Sequence, residues 1–141
     1  MADADILSLE VATPIGLALS IACESIAAPS VNGEFGVLPG HLPLLAALRA
    51  GVIKYRVDGH ERAAAVGPGF VEAGPQKVLL LTDSFALPED VDVDEVTAEL
   101  EEAEQRLSEL ETEYAGTAYE EIERDVQWAE ARLELVTYAE A

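Results

Sequence analysis

As far as Pro88, apolar and polar residues alternate in short runs; beyond it the period changes. Leu7, Leu9 and Val11 stand against Ile6, Ser8 and Glu10, the period of a half-buried strand, and Thr13-Pro14 stops it. Leu17, Leu19, Ile21 and Cys23 alternate with Ala18, Ser20, Ala22 and Glu24 in a second strand, which Ile26 continues towards Ala28-Pro29. These two segments are expected to pair. Leu44 to Ala50 reads as a short turn or bend ending at Gly51. Next, Ile53, Tyr55 and Val57 oppose Lys54 and Arg56, and Asp58-Gly59 makes a hairpin turn into Glu61 to Val66. Gly67, Pro68 and Gly69 punctuate before Phe70 to Ala73. After Gly74-Pro75, Lys77 to Thr82 carries four consecutive apolar residues, Val78 to Leu81, suited to a strand buried on both faces. Short strands separated by turn residues predict an antiparallel sandwich or barrel.

Beyond Pro88 the apolar residues Val93, Val96, Leu100, Ala103, Leu107, Leu110 and Tyr114 recur at alternating steps of three and four, a helix with one narrow apolar stripe. Asp92 is placed as its N-cap, with Glu95 in the capping-box position. Ala115-Gly116 breaks the pattern, and Thr117 with Glu120 opens a second helix striped by Tyr119, Ile122, Val126, Ala129, Leu133 and Val136. Two helices of matching length, each roughly 30 Å long, should fold back as an antiparallel hairpin. The expected fold class is therefore α+β, with a β-sandwich over residues 1–88 and a helical hairpin over 89–141.

Charge sharpens that division. Residues 1–88 hold nine acids and five bases, whereas 89–141 hold nineteen acids and three bases. Phosphate backbones need clustered Lys and Arg, so no nucleic-acid partner is expected. The acidity also disfavours anionic lipid, and no apolar run approaches a membrane span, so no direct membrane insertion is expected. Cys23 is the only cysteine. It lies in an apolar run and reads as a buried structural thiol in a reducing compartment. A lone helical pair has a single seam to bury while its carboxylates repel one another, so the hairpin is expected to rest on the sandwich or on a partner and to be detachable.

The most distinctive stretch is Asn32 to Leu45, NGEFGVLPGHLPLL, with three of the ten glycines, two of the seven prolines and one of the two histidines. Pro39 and Pro43 restrict their own φ and bias Leu38 and Leu42 towards extended backbone, which predicts a stiff, shaped loop. Phe35, Val37, Leu38, Leu42, Leu44 and Leu45 are expected to pin it to the core, leaving Glu34 and His41 as outward contact residues. Catalysis would have to use His41 or His60, yet Ser25, Ser30 and Ser84 stand in no nucleophile motif. Asp58 and His60 flank a hairpin turn better explained by backbone demand than by metal. Gly67-Pro68-Gly69 lacks the Lys and Ser/Thr of a phosphate loop. No cofactor or metal is expected.

Gly33 to Ile53, GEFGVLPGHLPLLAALRAGVI, resembles the signature segment of the epsilon subunits of F-type ATP synthases, and Val66 to Phe85, VGPGFVEAGPQKVLLLTDSF, resembles a later segment of the same family. The resemblance implies a ten-stranded β-sandwich followed by two helices, a non-catalytic part of the central stalk peripheral to the cytoplasmic side of a bacterial inner membrane. Implied partners are the gamma subunit and the ring of c subunits, with rotation of the ring coupled through gamma to ATP synthesis on the beta subunits. Glu34 corresponds to a position that meets the c-ring and His41 to one near gamma. The hairpin is implied to regulate ATP hydrolysis by reaching beta.

Two departures follow. Where some members bind ATP through Ile-Asp-x-x-Arg-Ala, this chain reads Val93-Asp94-Glu95-Val96-Thr97-Ala98, so Asp94 is the polar residue retained and Thr97 removes the phosphate-binding cation. Basic residues in the second helix are limited to Arg124 and Arg132. The competing possibilities are a freestanding β-sandwich binding module with an acidic arm and, more remotely, a histidine-dependent enzyme.

Overall fold

The computed structural model describes residues 5–110 and 116–140. Ten strands come first: β1 (Leu7–Thr13), β2 (Gly16–Cys23), β3 (Ser25–Ser30), β4 (Gly33–Val37), β5 (Leu44–Leu48), β6 (Gly51–Val57), β7 (His60–Val66), β8 (Gly69–Ala73), β9 (Lys77–Thr82) and β10 (Phe85–Ala86). A 3₁₀ turn at Pro88–Asp90 leads to helices α1 (Val93–Glu109) and α2 (Gly116–Glu140). Hydrogen bonding follows the path β10-β7-β6-β3-β5-β8-β9-β1-β2, with β4 added to β3. β3 and β5 share one registered pair, Ser30 with Leu48, and the sheet folds over at this narrow join. Strand pairs are antiparallel except β1 with β9, which run parallel.

Alternation decides what fills the space between the two halves. Leu7, Leu9, Val11, Val71, Val78 and Leu80 from one half meet Ile26, Val37, Ile53, Tyr55, Ala64 and Val66 from the other in a single buried cluster. Full burial of each larger side chain contributes about 1.5–3 kcal/mol, which makes this core the main source of stability. The Asp58-Gly59 turn has positive φ at both central residues, 51° and 79°, matching the twist of the flanking strands. Glu24 Oε1 accepts a hydrogen bond from the Gly59 amide at 2.8 Å and ties this turn to the β2–β3 corner. Gly69 is required for a different reason, because a Cβ there would stand 1.8 Å from the Leu81 carbonyl oxygen.

Some sequence expectations are corrected. Leu17 leaves the face of Leu19, Ile21 and Cys23: the β1–β2 register shifts between Val11 and Ala12, so Val11 pairs with Leu19 while Ala12 pairs with Leu17. Ala18 is the extra residue, and this bulge turns Leu17 outwards. Leu44 to Leu48 is not a bend but strand β5, because β8 offers it a complete ladder and pairing overrides a weak local signal. In β9 only the inner face is buried, through Val78 and Leu80, while Leu81 is 49% exposed. The helices are unequal, 17 and 25 residues. The expected stripe residue Tyr114 and the break residue Ala115 lie outside the described residues. Thr117 falls inside the first turn of α2.

Cys23 is buried, 1% exposed, as its apolar setting predicts. Burial pushes its thiol up to about 11, with Glu24 adding to the rise and a backbone hydrogen bond at Ser25 opposing it. Since the folded state holds this proton more tightly than the unfolded chain, its contribution to stability is complete below the ordinary thiol pKa and declines as pH rises towards 11. A thiol-specific reagent at pH 8 should therefore label Cys23 only after urea unfolding. Rapid labelling of the native protein would contradict this packing.

Candidate protein-docking surfaces

Folding the sheet over itself leaves two outer faces. On the half made of β5, β8, β9, β1 and β2, registered pairs run Ala47 to Phe70, Phe70 to Leu81, Leu81 to Ala12 and Ala12 to Leu17. Directly paired residues share a face, so these five side chains form one apolar row across five strands. Phe70 and Leu17 are 56% and 59% exposed. The next row, Leu45, Glu72, Leu79, Glu10 and Ser20, is mixed, and Lys77 Nζ bonds Glu10 at 2.6 Å beside it. An apolar strip with a charged border has the composition of a protein-docking site.

The later part of the glycine- and proline-rich stretch adds to this face. Its first part is strand rather than loop: β4 pairs with β3, placing Glu34 opposite Pro29 on the outer side and Phe35 and Val37 inwards. Residues 38–43 form the loop proper, held by the Gly40 amide donating to the Pro75 carbonyl at 2.8 Å. Contrary to the expected pinning, Leu38, Leu42 and Leu45 are exposed. The core is already filled by Val37 and Leu48, so these leucines extend the bare apolar surface. The His41 ring turns to the neighbouring Leu42 carbonyl. Glu34, His41 and Asp94 sit on β4, the loop and the first turn of α1, and no hydrogen bond or ion pair joins them among the described residues.

The opposite face, on β6 and β7, is covered by α2. Trp128, Ala131, Leu135 and Tyr138 lie at steps of three, four and three, a second stripe beside the expected one, and pack on Val52, Ala63, Ala65 and Ala86. Sequence reasoning passed over this stripe because its alanine is small and the stronger stripe already met the helical period. At its far end Lys54 Nζ stands 4.9 Å from the Tyr138 ring centroid and 3.7 Å from Glu34 Oε2. A hydrogen bond to the Glu61 carboxylate, aided by burial, pushes the Tyr138 phenol up to about 12. Around that contact a groove of about 660 Å³ opens between the helix end and the sandwich, walled by Leu19, Ile21, Tyr55, Leu87 and Pro88.

α1 reaches the sandwich through α2. The Asp92 side chain caps α1 by accepting from the Glu95 amide at 3.2 Å, and Val96, Ala103 and Ala129 fill the helical seam. Two cross-links flank it, Arg106 to Asp125 at 3.2 Å and Arg132 to Glu99 at 2.6 Å. The Arg132 guanidinium also lies 5.0 Å from the Trp128 ring centroid. Both arginines of the interhelical groove are thus committed to carboxylates, which leaves neither free for a phosphate. Asp94 is exposed.

Residues 6–88 match the family model described as ATP synthase, Delta/Epsilon chain, beta-sandwich domain. The ATP synthase epsilon chain of Nitratidesulfovibrio vulgaris is 40% identical over 104 residues, covering 74% of this chain and 78% of that protein. ATP synthase epsilon chain 2 of Syntrophotalea carbinolica is 37% identical over 129 residues, covering 92% of each chain. Among solved structures, a chain of the Euglena gracilis mitochondrial ATP synthase, from an OSCP/F1/c-ring assembly, superimposes with a TM-score of 0.78 at 20% identity over 94% of this chain and 82% of its own. At that identity the likeness carries the fold alone.

Leu135→Ala tests the second stripe. Removing this buried side chain should weaken docking of α2 by about 2–5 kcal/mol. Hydrogen exchange of α2 amides should accelerate while the amides of β1 and β9 keep their protection. Equal acceleration in both parts would show that the hairpin and sandwich open only together.

Proposed function

The chain belongs to the ATP synthase epsilon chain family, and from that membership we propose a non-catalytic central-stalk subunit with two working parts, residues 1–88 and 89–141. The bare outer face of β5, β8, β9, β1 and β2 docks on the gamma subunit, and Glu34 on β4 meets the c-ring. Rotation of the ring is passed through this junction to gamma, while ATP is made on beta. The subunit is peripheral to the cytoplasmic face of a bacterial inner membrane, and none of its described helices is long and apolar enough to cross one.

The observation that carries the reading is the apolar row Ala47, Phe70, Leu81, Ala12 and Leu17. The run from Val78 to Leu81 has the composition of a strand buried on both faces, yet the chain itself buries one. A permanent protein partner removes the other from water. Exposed leucines at 38, 42 and 45 widen the patch, and His41 lies among them on the gamma side. This favours a stalk subunit over a freestanding binding module, since a shaft subunit offers a permanent cover where a transient adaptor needs a face that tolerates solvent.

Residues 89–141 act as a docked but detachable regulator of ATP hydrolysis that reaches beta on release. Arg132 is held by Glu99, whereas Arg124 is exposed on α2. With Thr97 in place of the motif arginine and the groove arginines paired, nucleotide plays no part in this reading.

Phe70→Glu combined with Leu81→Glu alters only outward side chains, so the fold should survive. Affinity for the isolated gamma subunit should fall at least about thirtyfold by titration calorimetry, the loss expected of central anchors. Undiminished affinity in the folded double variant would overturn the assignment of this face. In the assembled complex, Leu135→Ala should change the ATPase rate if α2 is the regulator; an unchanged rate would remove that role.

A further inference from the structure

One lysine is shared between the exposed edge of the sandwich and the end of α2. β3 pairs with β4 on one side and β6 on the other, which brings Glu34 and Lys54 onto the same outer surface. Lys54 Nζ then stands 3.7 Å from Glu34 Oε2 and 4.9 Å from the Tyr138 ring centroid. Glu61, beside the Tyr138 hydroxyl, and Arg56, farther along β6, add to the charged surroundings. An ammonium is a single point charge on a flexible stem, so a stronger hold by one partner weakens its hold by the other.

We propose that Lys54 couples binding at Glu34 to docking of α2, the binding group being a basic side chain of a protein partner. When a partner's Lys or Arg takes the Glu34 carboxylate, Lys54 passes wholly to Tyr138 and Glu61, and the hairpin is held more firmly. The coupling is reciprocal by thermodynamic necessity. Once α2 departs, Lys54 turns to Glu34 and neutralises the carboxylate that the partner needs, so affinity for the partner falls by the same factor. Both contacts are partly exposed, which sets the factor at roughly two- to fivefold. This deepens the reading of Glu34 as the c-ring contact and rests on it for the identity of the partner.

The mechanism is measurable in the isolated full-length chain by hydrogen exchange at Ala131 to Leu135, with β1 and β9 amides as the internal reference. Glu34→Gln imitates a carboxylate already engaged and should slow opening of α2 roughly two- to fivefold. Lys54→Met keeps the stem but not the charge; it should speed opening and abolish any effect of Glu34→Gln made on top of it. If Lys54→Met loses the fold, Lys54→Gln supplies the same background. Unchanged or faster exchange in Glu34→Gln would overturn the proposal, as would equal slowing in the uncharged background. No partner is present in this experiment, so its outcome is independent of the ring assignment. That assignment fails instead if Glu34→Gln binds the purified c-ring as tightly as the parent chain.

Discussion

A sheet folded over on itself buries its inner faces and leaves two outer ones, and this chain covers one of them. The inner faces are settled by alternation, with Leu7, Leu9 and Val11 of β1, Val71 of β8 and Val78 and Leu80 of β9 meeting Ile53, Tyr55 and Val66. The outer face on β6 and β7 receives Ala131 and Leu135 of α2. The other outer face stays apolar and uncovered. The hairpin's position, the bare row and the shared lysine all follow from how the two outer faces are treated.

The two covers differ in kind. α2 rests Trp128, Ala131, Leu135 and Tyr138 on Val52, Ala63, Ala65 and Ala86, and Leu135 is its one fully buried large side chain. With a single fully buried large side chain, such a contact suits a part that is released. The bare row carries Phe70, Leu81 and Leu17, all of them exposed. That suits a junction transmitting torque without slipping. On the covered face, Lys54 of β6 feels both the β4 edge and the helix end.

Much of this was legible from residue order. Period-two alternation identified β1 and β6, the apolar run Val78 to Leu81 identified β9, Asp58-Gly59 identified its hairpin, and the change of period after Pro88 identified the helices. Other features depend on partners distant in sequence. Leu17 faces outwards because of a bulge created by its pairing with β1, which the alternation of β2 alone conceals. β5 exists because β8 accepts it, and the outward leucines at 38, 42 and 45 reflect a core filled by other residues. The stripe of Trp128, Ala131, Leu135 and Tyr138 was present as spacing, but a helix with two apolar faces needs two neighbours, and only the folded chain shows the second. Glu34 and His41 were recognisable as outward residues, while the proximity of Glu34 to Lys54 arises from β3 pairing on both sides.

The central claim is that the uncovered sheet face is the permanent junction with the shaft of the motor. Hydrogen exchange of the whole chain with and without the isolated gamma subunit tests it most directly. New protection should concentrate in β8, β9 and the β1–β2 turn, leaving amides beneath α2 unchanged. Protection centred on β6 and β7, with displacement of α2, would contradict the account.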